Sequence, residues 1–213
     1  MALLDPIKPH VLATKFIPNV APDLRKELGM TDDQQSIAMF TCDIDDCAYV
    51  AIDEATKKAE VKVVYAKSFY CGAPNVMRAA GPLAGEFIGI LAGPNPAETK
   101  AGLNAAIQNL AEESWFYSAN DDDTVAYFAH TISRTGSYLS ECAGIPEGDP
   151  LAYLIAPPIE AVFGVDAAVE KVYNGITQQG AAQKYYNCRH NSHDECYCGE
   201  NCGCLFHGLS PYR

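Results

Sequence analysis

The chain has 213 residues, 48% of them apolar and 20% charged, a balance that fits a folded globular protein and excludes a disordered or collagen-like one. Twenty-seven acids against 15 Lys and Arg leave a net charge of −12, with no basic cluster to hold a phosphate backbone, so nucleic acid is excluded as a partner. The longest uncharged stretches, such as Phe87 to Ala97, are short and carry proline, so no membrane span is expected. MALLDPIKPH lacks the apolar core of a signal peptide, which points to the cytoplasm.

Along the chain, strand and helix signals alternate. SIAMFT (Ser36 to Thr41) is a short apolar run suited to a buried strand. It meets Asp43, Asp45 and Asp46, acids of the kind that cap free N–H groups and complement a helix dipole. Ala48, Ile52, Ala55 and Ala59 then recur at helical spacing, with Lys57 and Lys58 closing the last turn. VKVVYA (Val61 to Ala66) alternates and is β-branched, a strand. FIGILAG (Phe87 to Gly93) is another, ending where Asn95 serves as N-cap, Pro96 as first helical residue and Glu98 as the closing member of a capping box.

A second half follows the same plan. TVAYFAHTIS and PLAYLIA read as strands, and PPIEAVFGVDAAVEKVY as a helix led in by prolines. Leu91-Ala92-Gly93-Pro94 lines up with Leu154-Ile155-Ala156-Pro157 at an offset of 63 residues, which predicts a tandem duplication with its boundary near Glu112. The expected organisation is a first domain over 1–111, a second, apparently incomplete one over 112–187, and a Cys/His-rich tail over 188–213.

Chemistry is sparse. No phosphate loop, dinucleotide fingerprint, HExxH or GxSxG is present, and no nucleophile sits beside an obvious base. The absence of these signatures lowers the expectation of catalysis without excluding it. The knot Asp43, Asp45, Asp46 suits either helix capping or a bound cation. Asp121-Asp122-Asp123 reads as a solvated turn, His130 as a core or interface residue, and Trp115 and Phe116 as packing or an aromatic face for an ammonium group.

The strings CDIDDCAYVAIDEATKKAEVKVVYAKSFYCG, GEFIGILAGPNPAETKAGL, SRTGSYLSECAGI and GDPLAYLIAPPIEAVFGVDAA resemble the tandem-domain shell proteins of bacterial microcompartments, of the ethanolamine-utilisation type. The resemblance runs from about Asp5 to about Ala168. It implies an α/β (α+β) fold of two tandem, circularly permuted microcompartment domains, with three chains closing into a pseudohexamer. It further implies a structural role: a trimeric tile joined edge to edge to other shell proteins, with pores that pass small metabolites. By the same resemblance, ethanolamine binds in small acidic pores, and the matching residues here are Asp45, Asp46, Glu86 and Phe116. A carboxylate cluster attracts the ammonium group, and an aromatic face adds a cation–π contribution of roughly 0.5–2 kcal/mol. The stretch SRTGSY is the candidate for a central-pore gate. No cofactor is required.

The tail departs from the family pattern. Cys42, Cys47, Cys71 and Cys142 are scattered, whereas Cys188, Cys196, Cys198, Cys202 and Cys204 crowd the last 26 positions beside His190, His193 and His207. Thiolates and imidazoles suit zinc or an iron–sulfur cluster, which defines the alternative function, a metal-binding shell component. The spacing C-x7-C-x-C-x3-C-x-C lacks the paired C-x2-C of common zinc folds, so a tail without a metal role stands beside it.

Overall fold

A computed structural model describes residues 4–69, 86–121, 125–179 and 184–187. In chain order the elements are β1 (Pro6–Ile7), β2 (Val11–Ile17), α1 (Pro22–Glu27), β3 (Ser36–Cys42), α2 (Asp45–Lys58), β4 (Lys62–Phe69) and β5 (Glu86–Gly93). They continue as α3 (Pro96–Glu112), β6 (Phe116–Ser118), β7 (Ala126–Ile132), α4 (Ser137–Ala143), β8 (Leu151–Ile155), α5 (Pro158–Gln179) and β9 (Lys184–Asn187). Two compact units result. The first comprises the described residues within Lys8–Trp115 and Gly136–Cys142, and the second those within Met1–Ile7, Phe116–Thr135 and Ala143–Arg213.

The first unit carries an antiparallel sheet in the order β2-β3-β5-β4. Its central strands are apolar runs flanked on both sides by other strands, so Ile37, Phe40, Phe87 and Leu91 are fully buried. The helices α2 and α3 pack on one another and on these strands. The predicted stripe of α2 holds, with Ala48, Ile52 and Ala55 all at zero exposure. Helix α3 starts as its sequence prescribes, Asn95 Oδ1 accepting the N–H groups of Ala97 (2.9 Å) and Glu98 (3.0 Å) behind Pro96. The capping box is not closed, because Glu98 turns its carboxylate to the N–H of Glu60 (2.8 Å), just past the end of α2.

The second unit holds a sheet in the order β1-β6-β7-β8-β9, antiparallel except for the parallel β8–β9 pair. Its core includes Phe128, Leu151, Tyr153, Ile155, Ala161 and Val165. His130 stacks on Phe128 with ring centroids 5.4 Å apart.

The internal repeat is present in a different frame from the 63-residue match. Strand β2 begins at Val11 and β7 at Ala126, α1 at Pro22 and α4 at Ser137, β3 at Ser36 and β8 at Leu151, the same 115-residue step each time. Each strand pair is antiparallel, and each is followed by a long helix, α2 or α5, after a two-residue turn. The counterpart of β8 is therefore β3 rather than β5. The shorter offset arises because β5–α3 and β8–α5 are both strands joined to a helix through a proline-containing turn. A local joint of that kind carries no information on strand order. The Cys/His-rich tail and Cys71 lie outside the described residues.

Candidate functional site

Strand β3 ends at Cys42, and within three residues the chain has turned into α2, so three acids gather at one end of the first sheet. Asp45 and Asp46 occupy the first turn of α2, each only 2% exposed, where free backbone N–H groups and the helix dipole favour negative charge. Asp45 Oδ1 accepts the N–H of Asp46 at 3.0 Å. Asp43 is held by His10: the His10 N–H donates to Oδ1 at 2.6 Å, and Nδ1 lies 2.8 Å from Oδ2. The carbonyl of His10 accepts the N–H of Asp43 in return, at 3.2 Å, which ties the entrance of β2 to the exit of β3.

Register carries Glu86 to the same end. Cys42 is opposite Phe87 in the β3–β5 ladder, so Glu86, one residue outward and exposed, lies at the edge from which Asp43 departs. The side chains that pack between these strands and α2 are aromatic and buried. Tyr49 meets Phe87 edge-on at 4.9 Å and shares a buried hydrogen bond with Ser68 at 2.9 Å, and Phe87 leans on Phe40 at 5.5 Å. Burial pushes the Cys42 thiol up to about 12, with the charges of Asp43 and Asp45 adding to the effect. It is thus an inert thiol at neutral pH.

Of the residues singled out in the sequence, Asp45, Asp46 and Glu86 all belong to this end of the first unit. Phe116 belongs to the second unit, where it is 3% exposed, pairs with Ile7 across β1–β6 and packs on Phe128 at 5.2 Å. Within the first unit, Lys8 Nζ lies over the ring of Trp115, 3.9 Å from the centroid. Among the described residues, no three His, Cys, Asp or Glu side chains come together as a metal site. The five tail cysteines fall outside the described residues.

Sequence reasoning passed over Asp53. Fully buried on α2, it accepts the N–H groups of Gly136 (Oδ2, 2.8 Å) and Leu139 (Oδ1, 2.8 Å) at the start of α4. Thr56 Oγ1 accepts the N–H of Ser137 at 3.1 Å, and Tyr138 stacks on Tyr49 at 6.1 Å. Position 136 admits only glycine, since a Cβ there would lie 2.6 Å from the Asp53 carbonyl oxygen. The signal was an acid wedged between Ile52 and Ala55 in an apolar stripe. The SRTGSY stretch is thus, from Gly136 onward, anchored on α2.

No protein-family model matches the chain. It is 53% identical over 166 residues to the bacterial microcompartment shell protein EutL of Clostridium perfringens, covering 78% of this chain and 75% of that one. The crystal structure of the ethanolamine utilization protein EutL from Leptotrichia buccalis superposes with a TM-score of 0.71 at 58% identity, covering 80% of this chain and 76% of the other. A trimeric bacterial microcompartment shell protein, PduB, shares the fold alone, at 17% identity and a TM-score of 0.50 over 64% of this chain and 57% of that one. Sheet, helices and paired repeats therefore define a shell protein of bacterial microcompartments, a structural molecule rather than an enzyme. Within that class, the identity along most of both chains is decisive: the chain belongs to the EutL family.

Proposed function

We propose that the chain forms a homotrimeric tile in the shell of an ethanolamine-utilisation microcompartment, meets other shell proteins edge to edge, and passes small metabolites through acid-lined pores without any cofactor. The observation that carries this reading is the identity of 53–58% to EutL proteins along four-fifths of the chain. Among the described residues, no helix is long and apolar enough to cross a membrane. The proposed ligand is ethanolamine. Its ammonium group suits the cluster of Asp45, Asp46 and Glu86, and binding is weak, because a pore must release what it binds.

Calorimetric titration of the assembled protein with ethanolamine tests the ligand. Saturable, salt-sensitive binding is expected, weakened at least fivefold by Glu86→Gln, whose exposed side chain can change without disturbing the fold. Binding unchanged in Glu86→Gln and in Asp46→Asn would remove these acids from the site. Negative-stain images of the protein at high concentration test the tile: extended two-dimensional sheets are expected, and dispersed single chains would overturn it.

A further inference from the structure

Strand β2 enters the first sheet at the end where the acids collect, and the residue just before it is His10. Two of the three links between His10 and Asp43 use the backbone of His10. Its N–H donates to Oδ1 at 2.6 Å, and its carbonyl accepts the N–H of Asp43 at 3.2 Å. These two hold the turn whatever side chain stands at position 10. The third link is the ring, whose side chain is 76% exposed and whose Nδ1 lies 2.8 Å from Oδ2. An ionised carboxylate can only accept, so Nδ1 carries the hydrogen in that contact. Nε2 is then the unprotonated nitrogen of the neutral ring, and a proton added there leaves the contact with Asp43 in place.

The ring therefore sits against the first member of the acid cluster. Asp43 is two residues from Asp45 and three from Asp46, and the charges of Asp43 and Asp45 both act on the Cys42 thiol. Glu86 completes the acids of this sheet end through the Cys42–Phe87 register. The lysines around it are turned to aromatic rings. Lys8 Nζ lies over Trp115 at 3.9 Å, Lys100 Nζ over Phe16 at 4.8 Å near the far end of β2, and Lys67 Nζ 5.9 Å from the ring of Phe69, the residue opposite Glu86. Lys15 stands further along β2, opposite Met39. Among these cationic side chains, an imidazole is the kind that changes charge between pH 5 and 8.

We propose that His10 sets how tightly the acidic end of the first sheet holds a cation. In its neutral form the ring leaves the negative charge of Asp43, Asp45, Asp46 and Glu86 to an incoming ammonium group. With Nε2 protonated, it sets a positive charge against the same carboxylates and lowers the affinity. Two charges about 8 Å apart on a wet surface change an affinity by about threefold, and salt weakens the effect. His10 is a residue that tunes the site through Asp43, not one that touches the ligand. The inference rests on the ethanolamine reading above and gives that site a dependence on pH.

Calorimetric titration of the full chain with ethanolamine in low salt, at about pH 6 and about pH 8, tests it in the wild type, His10→Asn and His10→Lys. The wild type is expected to bind about threefold more weakly at the lower pH. His10→Asn keeps a donor for Oδ2 but cannot become a cation, so it should bind at both pH values as the wild type does at the higher one. His10→Lys fixes the charge and should bind weakly at both. By reciprocity, saturating ethanolamine should move the NMR titration of the His10 ring to lower pH. A wild-type affinity that ignores pH, or that follows pH equally in His10→Asn, would overturn the role of His10 and leave the ligand reading intact. No ethanolamine binding by any of the three chains at either pH would overturn the ligand reading and this inference with it.

Discussion

The first turns of α2 and α5 begin from the same place in two copies of one frame and have taken opposite characters. At the start of α2 stand Asp45 and Asp46, nearly buried; at the start of α5 stand Pro158 and Ile159, both exposed. The frame itself, a strand ending in a two-residue turn and a helix with alanine at its fourth position and aspartate at its ninth, is indifferent to that choice. Packing toward the sheet fixes the alanine and the aliphatic residue in both. What lies on the outer stripe is decided by what covers it, a capped helix in one case and an open apolar surface in the other.

The sharpest way to break the comparison is to remove the matched aspartates. Asp53→Ala leaves the N–H groups of Gly136 and Leu139 buried without an acceptor, at about 1–3 kcal/mol for each such group. Urea unfolding should therefore show a loss of roughly 2–4 kcal/mol, or a loss of cooperativity as α4 detaches. Asp166→Ala, at the same position of the other repeat but exposed, should alter the unfolding of the dissociated chain by no more than about 0.5 kcal/mol. Equal effects of the two variants would mean that the aspartates are not placed as differently as the geometry has them.

A smaller effect sharpens the contrast at a helix start. Asn95 receives two N–H groups from α3, whereas α1 has no side-chain cap at all. Asn95→Ala should cost about 1 kcal/mol in the same unfolding experiment, and Ala21→Ser at the start of α1 should gain a few tenths. A neutral Asn95→Ala would show that Pro96 and the packing of α3 suffice to start that helix.

Much of this was legible in the residues alone. The strands over Ser36 to Thr41 and Phe87 to Gly93, the stripe of α2 and the Asn95–Pro96 start of α3 follow from local rules of period and capping, and the structure has them. The existence of a repeat was legible too, but its frame was not. Strand order is set by which edges pair across tens of residues, and the joint after β5 resembles the joint after β8 only locally. Glu86 and Asp45 could be brought to one sheet end only through the Cys42–Phe87 register, which no pattern within either strand specifies. The role of Asp53 was invisible for the same reason: its partners lie 83 and 86 residues away.

The finest distinction concerns charge. Burial raises the pKa of Asp53 above its ordinary 3.8, against the pull of the Leu139 and Gly136 N–H groups and of Lys57, with Glu54 adding to the rise. A carboxyl whose folded value lies above its unfolded one favours the protonated folded state. Its contribution to stability is complete below pH 3.8 and is lost as pH rises through the folded value. Asp53→Asn keeps an acceptor at that place but cannot titrate. The difference in unfolding free energy, wild type minus Asp53→Asn, should therefore decline as pH climbs from below 3.8 through the folded value, and then level off. A wild-type curve that gains on Asp53→Asn with rising pH would mean that the two N–H groups and Lys57 outweigh burial, and that the α4 contact is held by an ionised acid stabilised in place.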